Sequence, residues 1–489
     1  SEMCIRDRTY ILRMDGKLTI AGFLTDRAQR FPDTNIVAYQ KGNEAAWTTL
    51  NWATYYEKIK SASELLLSLK VKAEDRIVII LPTSLQWDLF EKGCLLIGAT
   101  VIGIETHARP VTMSEIIKQV RPRLIIIEDL GITKILKEQF NISPDIFLNV
   151  SPNTWMNLHA YNRKNLPKVS ANATATIIFT SGSTGHQKGI TYTQKQFLQA
   201  AQTLASSLAQ KNGRTVCWLP QANLFQRMTN LFSLINNTSI YFLNNPKEVM
   251  NVLPKIQPTA FIGVPVVYEK IYTSVKQQTG SQAAIFGGKM KYMITESAPC
   301  RLDVLTFFKT IGIPLIEGYG MSENILPIAL NLPHEYKLGS VGKPLLPNRV
   351  KIADDGEILM KGPGLFKGYL GKKTPVGTTK DGFFPTGDLG YLDKKGFLFL
   401  TGRKDNLIKT STGRKISTTA IGAQLMENPF LNQVLLVGSD RPCLTCLARR
   451  SATHCGSCCP GWPARAWARC FASAYISTAT RWLFAVCMW

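Results

Sequence analysis

The sequence predicts an α/β fold, and two observations carry that prediction. Short β-branched runs alternate with helix-spaced apolar stretches through the first 330 residues. From 337 the texture changes to short strands and glycine turns. Within 18–130, AEDRIVIILP (73–82), GATVIGIE (98–105) and RPRLIIIED (121–129) read as buried parallel strands. Between the first two, LQWDLFEKGCLLIG (85–98) carries helix-spaced apolar positions. The alternation predicts a doubly wound sheet with helices on both faces. A polar stretch at 151–173 then leads into a second α/β run through 330, with TVCWLP, SIYFLN, AFIGVP and KYMITE as its strands. The segment GSVGKPLLPNRVKIADDGEILMKGPGLFKGYL suits a small β-barrel-like unit. At 489 residues, 45% hydrophobic and 19% charged, the chain can bury a large core in about three domain-sized units.

Composition excludes several classes. The apolar stretch CLLIGATVIGI (94–104) falls well short of the ~20 residues a membrane span needs. No signal-peptide h-region follows the N-terminus, so a cytosolic body is expected. The net charge of +23 comes from lysines scattered along the chain rather than gathered in one block. That pattern argues for a surface attracting an anionic small substrate such as a nucleotide, with no nucleic-acid partner. It is compatible with peripheral membrane association, and it leaves the oligomeric state open. Residues 1–17, opening SEMCIRDR, read as a non-native or fragment edge.

The last 49 residues differ from the rest. Residues 441–489 hold six arginines, no Asp, Glu, Lys, Asn or Gln, seven of the eleven cysteines and four of the nine tryptophans. Two readings compete. Cys443, Cys446, His454, Cys455 and Cys458 have spacings that could close a small zinc knuckle. The stretch also lacks hydrophobic periodicity and the common helix-surface residues, which reads as a frameshifted tail.

One stretch carries chemistry plainly: TATIIFTSGSTGHQKGI at 174–190. After a buried strand, Thr180, Ser181, Gly182, Ser183, Thr184 and Gly185 offer four hydroxyls and flexible backbone amides. Glycines let successive N–H groups turn into one concavity that suits an anion. Lys188 adds a mobile positive charge for phosphate oxygens. The GxxxxGK[ST] spacing of a Walker A loop is absent.

TSGSTGHQKG, followed in order by EGYGMSE (317–323), TGDLG (386–390) and TGRKDNLIK (401–409), resembles the adenylate-forming superfamily of AMP-binding enzymes over roughly residues 18–440. The resemblance implies an AMP-binding N-terminal domain at 18–400 and the start of a small, truncated α+β C-terminal domain at 401–440. It also implies a role for each motif. Thr180 through Gly185, with Lys188, hold the ATP phosphates. Ser297, Ala298 and Pro299 pack against adenine, and Tyr319, within Glu317, Gly318, Gly320, Met321 and Ser322, stacks on it. Glu323, with Thr180, holds Mg²⁺, a hard cation suited to carboxylate and phosphate oxygens. Asp388 accepts from the ribose hydroxyls, Arg403 makes a second ribose or phosphate contact, and Asp405 is the hinge. Thr180, Lys188 and Glu323 are the catalytic candidates. His107 and His186 read as structural, since no Ser–His or Cys–His pair is required.

The reaction implied has two steps. A carboxylate attacks the α-phosphorus of ATP to form acyl-AMP, and a thiol then displaces AMP. CWLPQANLFQRMTN (217–230) is similar to the LP-x-x-H-x-x-x-R stretch of long-chain fatty-acid–CoA ligases, with Asn223 where histidine is usual. It has no acidic residue, which disfavours an amino-acid substrate. The expectation is therefore ATP-dependent activation of a medium- or long-chain fatty acid with CoA as acceptor. The rivals are a fatty-acyl-AMP ligase serving a carrier protein and a non-catalytic, truncated nucleotide binder. Two further departures bear on activity: Gly422 stands where the family commonly has glutamate, and no lysine follows Lys415. The family's C-terminal catalytic lysine is thus not written in this chain, and adenylation by it is expected to be impaired.

Overall fold

The computed structural model describes residues 19–450 except 42–45, 159–165, 182–186, 209–210, 278–282, 297, 372–376, 410, 412–414, 419–420, 423–424, 426–430 and 439–444. The chain forms two compact units. The first comprises residues up to Asn348 together with Gly362–Val376, and the second comprises Arg349–Lys361 and the chain from Gly377.

The first unit is α/β, as predicted. Its six-stranded sheet runs Phe147–Asn149, Leu124–Ile127, Arg76–Ile80, Thr100–Gly103, Thr174–Ser181, Gln187–Thr193. All neighbours are parallel except the last pair, which is a hairpin. The runs are short, β-branched and apolar on both faces because both faces are covered. Val78, Ile80, Ile102, Ile125, Ile127 and Ile177 pack with Ile116, Ile117, Val120 and Leu136 of the helices Pro110–Val120 and Leu130–Glu138. The alternate residues Ile77, Ile79, Val101 and Ile126 point the other way and are equally buried.

A second, four-stranded sheet has the order Trp47–Asn51, Asn35–Gln40, Ser239–Phe242, Arg214–Cys217. A third, five-stranded sheet has the order Ala260–Gly263, Tyr292–Thr295, Leu315–Met321, Asn324–Leu330, Lys343–Pro344. The Thr259 amide, just before this third sheet, donates to the Arg214 carbonyl at 2.9 Å. The four strands expected here are present. The partners are less expected: Asn35–Gln40, from the N-terminal run, pairs parallel with Ser239–Phe242, while Thr174–Ser181 joins the first sheet. Each half of the chain therefore lends strands to the other's sheet.

In the second unit, Arg349–Ile352, Glu357–Lys361, Phe384–Leu392 and Leu398–Arg403 form a four-stranded antiparallel sheet, the smaller β element anticipated from 337 onward. Leu431–Val437 pairs antiparallel with Thr445–Arg450, so a paired strand lies inside the stretch read as a tail. Of the zinc-knuckle candidates, Cys443, His454, Cys455 and Cys458 lie outside the described residues. No helix among the described residues is long and apolar enough to cross a membrane.

The helix Leu85–Leu96 is buried along its whole length, yet it carries Asp88, Glu91 and Lys92. Ser84 caps it by accepting the Trp87 amide. Gly93 lets it lie against Trp52–Ser68, because a Cβ there would sit 3.0 Å from Ala62 Cβ and 3.1 Å from Ser63 N. Its charges are paired. Arg227 Nε donates to Glu91, and Arg227 Nη1 donates to Thr176 Oγ1 at 2.7 Å. Lys92 Nζ bridges Glu91 and Asp88, and the Tyr55 hydroxyl donates to Asp88. Burial pushes the Glu91 carboxyl up, but Arg227 and Lys92 outweigh it and hold the group ionised below its usual range.

Removing one partner from such a network leaves an uncompensated buried charge, at a cost of about 3–5 kcal/mol. Arg227→Met should lower stability by about that much in urea unfolding, whereas Glu91→Leu/Arg227→Met should recover a substantial part of it. An Arg227→Met protein within about 1 kcal/mol of the parent would show that the network contributes little.

Candidate functional site

The predicted site residues gather mostly in the first unit, at the C-terminal ends of parallel strands, where α/β sheets place their ligand crevices. Thr180 and Ser181 end the strand Thr174–Ser181, and Lys188 pairs directly across the hairpin from Thr180. The loop between them, with Gly182, Ser183, Thr184, Gly185 and His186, lies outside the described residues, as does Ser297. His107 is exposed.

The second motif is a hairpin. Leu315–Met321 pairs with Asn324–Leu330 in a register that sets Met321 opposite Asn324, so Ser322 and Glu323 form the turn. The Tyr192 hydroxyl donates to the Ser322 carbonyl at 2.6 Å and ties this turn to the strand carrying Lys188. The Glu323 carboxylate accepts the Tyr369 hydroxyl at 3.0 Å, while Lys188 Nζ stands 5.5 Å from the centre of the Tyr369 ring. Lys188 and Glu323, 135 positions apart in sequence, thus meet one tyrosine.

Ala298 and Pro299 follow the strand Tyr292–Thr295, beside Leu315–Met321, with Thr295 paired to Glu317. Glu317 folds this loop down, accepting the Cys300 amide at 3.3 Å. Along Leu315–Met321 the side chains of Glu317 and Tyr319 share one face, before the register shifts between Tyr319 and Met321. Tyr319 is only 6% exposed, so most of its ring is already covered by protein. Gly320 leaves room for a neighbour that sequence reading missed: a Cβ there would lie 3.0 Å from Glu296 Oε1. Burial pushes the carboxyls of Glu296 and Glu317 from 4.5 up to about 7.

Asn223 precedes the helix Leu224–Ile235 but does not cap it. Its Nδ2 instead donates to Glu105 Oε1 at 3.0 Å. The backbone is close here too, for a Cβ on Gly103 would sit 2.7 Å from Ala222 Cα. The residue standing where the resembled family has histidine is therefore already engaged with a carboxylate.

Asp388 and Arg403 lie in the second unit. They face each other across adjacent strands, with Arg403 Nε 3.0 Å from Asp388 Oδ1. Lys404 bridges Asp355 and Glu357 at 2.7 Å each, and the other Glu357 oxygen accepts the Gly387 amide at 2.9 Å. Asp405 sits exposed in the short turn Lys404–Asn406 that follows.

The donor set fits a hard cation. Glu323 is held by a neutral hydroxyl and makes no ion pair among the described residues, which leaves its carboxylate charge for a cation. Among the described residues no cluster of three His, Cys, Asp or Glu side chains competes with it as a metal site.

The raised carboxyls make a pH prediction. A folded-state value above the unfolded one means the fold takes up protons. The associated stability is full below about 4.5 and is lost as pH rises through about 7. Melting temperature should therefore fall between pH 5.5 and 8. Glu296→Gln and Glu317→Gln should flatten that slope and together gain on the order of 2 kcal/mol at pH 8. A slope unchanged in the double variant would rule these two groups out as its source.

Comparison with known proteins follows the same lines. Residues 24–370 match the AMP-binding enzyme family. A long-chain-fatty-acid–CoA ligase of Mycobacterium bovis is 26% identical over 473 residues, covering 84% of this chain and 78% of that one. A 2-succinylbenzoate–CoA ligase of Listeria monocytogenes is 33% identical over 270 residues, covering 54% of this chain and 56% of that one. Two solved structures share the fold. Anthranilate CoA ligase in complex with anthranoyl-AMP has a TM-score of 0.80 at 18% identity, over 96% of this chain and 94% of that one. O-succinylbenzoate CoA synthetase of Bacillus subtilis, with ATP and a magnesium ion, has a TM-score of 0.75 at 22% identity, over 87% and 89%. The family match spans well over half the chain, and this chain belongs to the AMP-binding enzyme family.

Proposed function

We propose that the chain is a long-chain fatty-acid–CoA ligase: it activates a medium- or long-chain fatty acid with ATP and passes the acyl group to CoA. The observation that carries the nucleotide half of this reading is the meeting of the Thr180–Lys188 hairpin and the Ser322–Glu323 turn at the C-terminal ends of two sheets. A hydroxyl edge, one lysine and one carboxylate suit phosphoryl chemistry, where catalysis is mostly positioning and charge neutralisation. In this reading Lys188 and the hydroxyls of Thr180 and Ser181 bind and orient the ATP phosphates. Ala298, Pro299 and the strand of Tyr319 bound the adenine slot. Asp388 and Arg403 take the ribose hydroxyls. Bound by Glu323 with Thr180, Mg²⁺ would neutralise phosphate charge. The substrate carboxylate attacks the α-phosphorus, pyrophosphate leaves, and the CoA thiol then displaces AMP from the acyl carbonyl.

The acyl half rests on the fatty-acid–CoA ligases of which the chain is a distant relative. Neighbours that act on 2-succinylbenzoate and anthranilate by their names make aromatic acids the specific rival. Non-hydrolysable acyl-sulfamate analogues of acyl-AMP separate the two without turnover. A C12–C16 analogue should raise the melting temperature more than benzoyl or aminoacyl analogues do. Preference for the benzoyl analogue would move the substrate class to aromatic acids.

A further inference from the structure

The segment Gly362–Gly371 lies in a stretch, Gly362–Val376, that belongs to the first unit although the chain on either side of that stretch belongs to the second. Backbone hydrogen bonds hold it there. Phe366 N–H donates to the Glu323 carbonyl at 2.8 Å, and Ile325 N–H donates to the Gly364 carbonyl at 3.0 Å. On the other side Leu370 N–H donates to the Gly189 carbonyl at 2.8 Å, with an isolated bridge between Ile190 and Tyr369. Gly189 permits this closeness: a Cβ there would lie 3.1 Å from Leu370 Cβ and 3.1 Å from the Phe179 ring. The segment thus stitches the Ser322–Glu323 turn to the strand carrying Lys188.

Tyr369 stands at the crossing. Its hydroxyl donates to Glu323 Oε1 at 3.0 Å, its ring lies 5.5 Å from Lys188 Nζ, and Phe366 packs edge-to-face on it at 4.9 Å. Both contacts restrain an ion without neutralising it. A phenolic O–H fixes one carboxylate oxygen and leaves the other, with the full charge, for a hard cation. An aromatic face holds an ammonium by its quadrupole and leaves the N–H donors for an anion. An acidic residue in place of the ring would compete with phosphate for Lys188, and a basic one in place of the hydroxyl would compete with Mg²⁺ for Glu323.

We propose that Tyr369 is a positioning residue for Mg²⁺–ATP binding, setting Glu323 through its hydroxyl and Lys188 through its ring. The proposal rests on the reading of Glu323 as the Mg²⁺ carboxylate and of Lys188 as a phosphate contact.

The two halves of Tyr369 can be separated by calorimetric titration of the full chain with ATP, in EDTA and in Mg²⁺. Tyr369→Phe keeps the ring and should bind metal-free ATP within twofold of the parent, while losing at least fivefold of the affinity that Mg²⁺ adds. Tyr369→Leu should lose that Mg²⁺-dependent gain and also weaken metal-free ATP binding at least threefold. Glu323→Gln and Lys188→Ala serve as references for the two effects. A full Mg²⁺ gain in Tyr369→Phe, with Glu323→Gln defective, overturns the role of the hydroxyl alone. Equal losses in Tyr369→Phe with and without Mg²⁺ mark a merely structural residue and overturn it too. If Glu323→Gln itself keeps the Mg²⁺ gain, the underlying assignment fails and the proposal falls with it.

Discussion

Four buried charges, Asp88, Glu91, Lys92 and Arg227, form a balanced set deep in the first unit, two of each sign and none with access to water. Desolvating ions costs several kcal/mol each, so the arrangement is tolerable only if every partner arrives together. The partners come from distant parts of the chain: Tyr55 from one helix, Arg227 and Asn230 from another, and Thr176 from the strand that leads to Thr180. Arg227 also lies against the rings of Trp87 and Phe197, at 5.5 and 5.4 Å. A network with one acceptable geometry specifies how four elements meet more sharply than apolar contact does, because a slipped helix would strand a charge rather than only loosen a contact.

That constraint reaches the site through one strand. Thr176 is fixed by Arg227 from its side chain and donates its own hydroxyl to the Val101 carbonyl at 2.8 Å. Four residues on, the same strand presents Thr180 opposite Lys188. The helix bearing Arg227 begins just after Asn223, which meets Glu105 beyond the end of the strand Thr100–Gly103. Gln226, next to Arg227, ties back to the Leu219 amide at 3.1 Å and to Asn230 at 2.8 Å. The strand end that carries Thr180 and the Asn223 contact therefore hang from the same buried ions. Active geometry built on strands with locked partners is more exact than geometry left to loops.

Local pattern made most strands legible, and pairing made few of them so. RIVII, LIII, AFIG and YMIT stand where β-branched runs bounded by turn residues place them. Nothing in NIVAYQ says that it will lie beside SIYF, two hundred residues later, because a parallel ladder reads backbone and burial rather than identity. The site divides the same way. Thr180, Lys188 and Glu323 stand out in the sequence because they sit inside glycine-rich motifs. Tyr369 and Glu296 do not. One is an aromatic in a glycine turn and the other an acid at a strand end, and both acquire meaning only from what folds against them. Helix Leu85–Leu96 was read from its apolar spacing, but its three charged residues gave no sign that they would be buried.

The second unit carries an ion pair of the same chemistry in a more exposed setting. Asp388 and Arg403 satisfy each other at 3.0 Å with more than half of the arginine side chain exposed. Solvent screens such a pair, which is worth about 0–1 kcal/mol. The contrast with the core is one of degree of burial, not of chemistry. Both places pair a carboxylate with an arginine. At Glu91 the pair is sealed away from water and fixes architecture. At Asp388 the arginine half is open to solvent, and the pair fixes little.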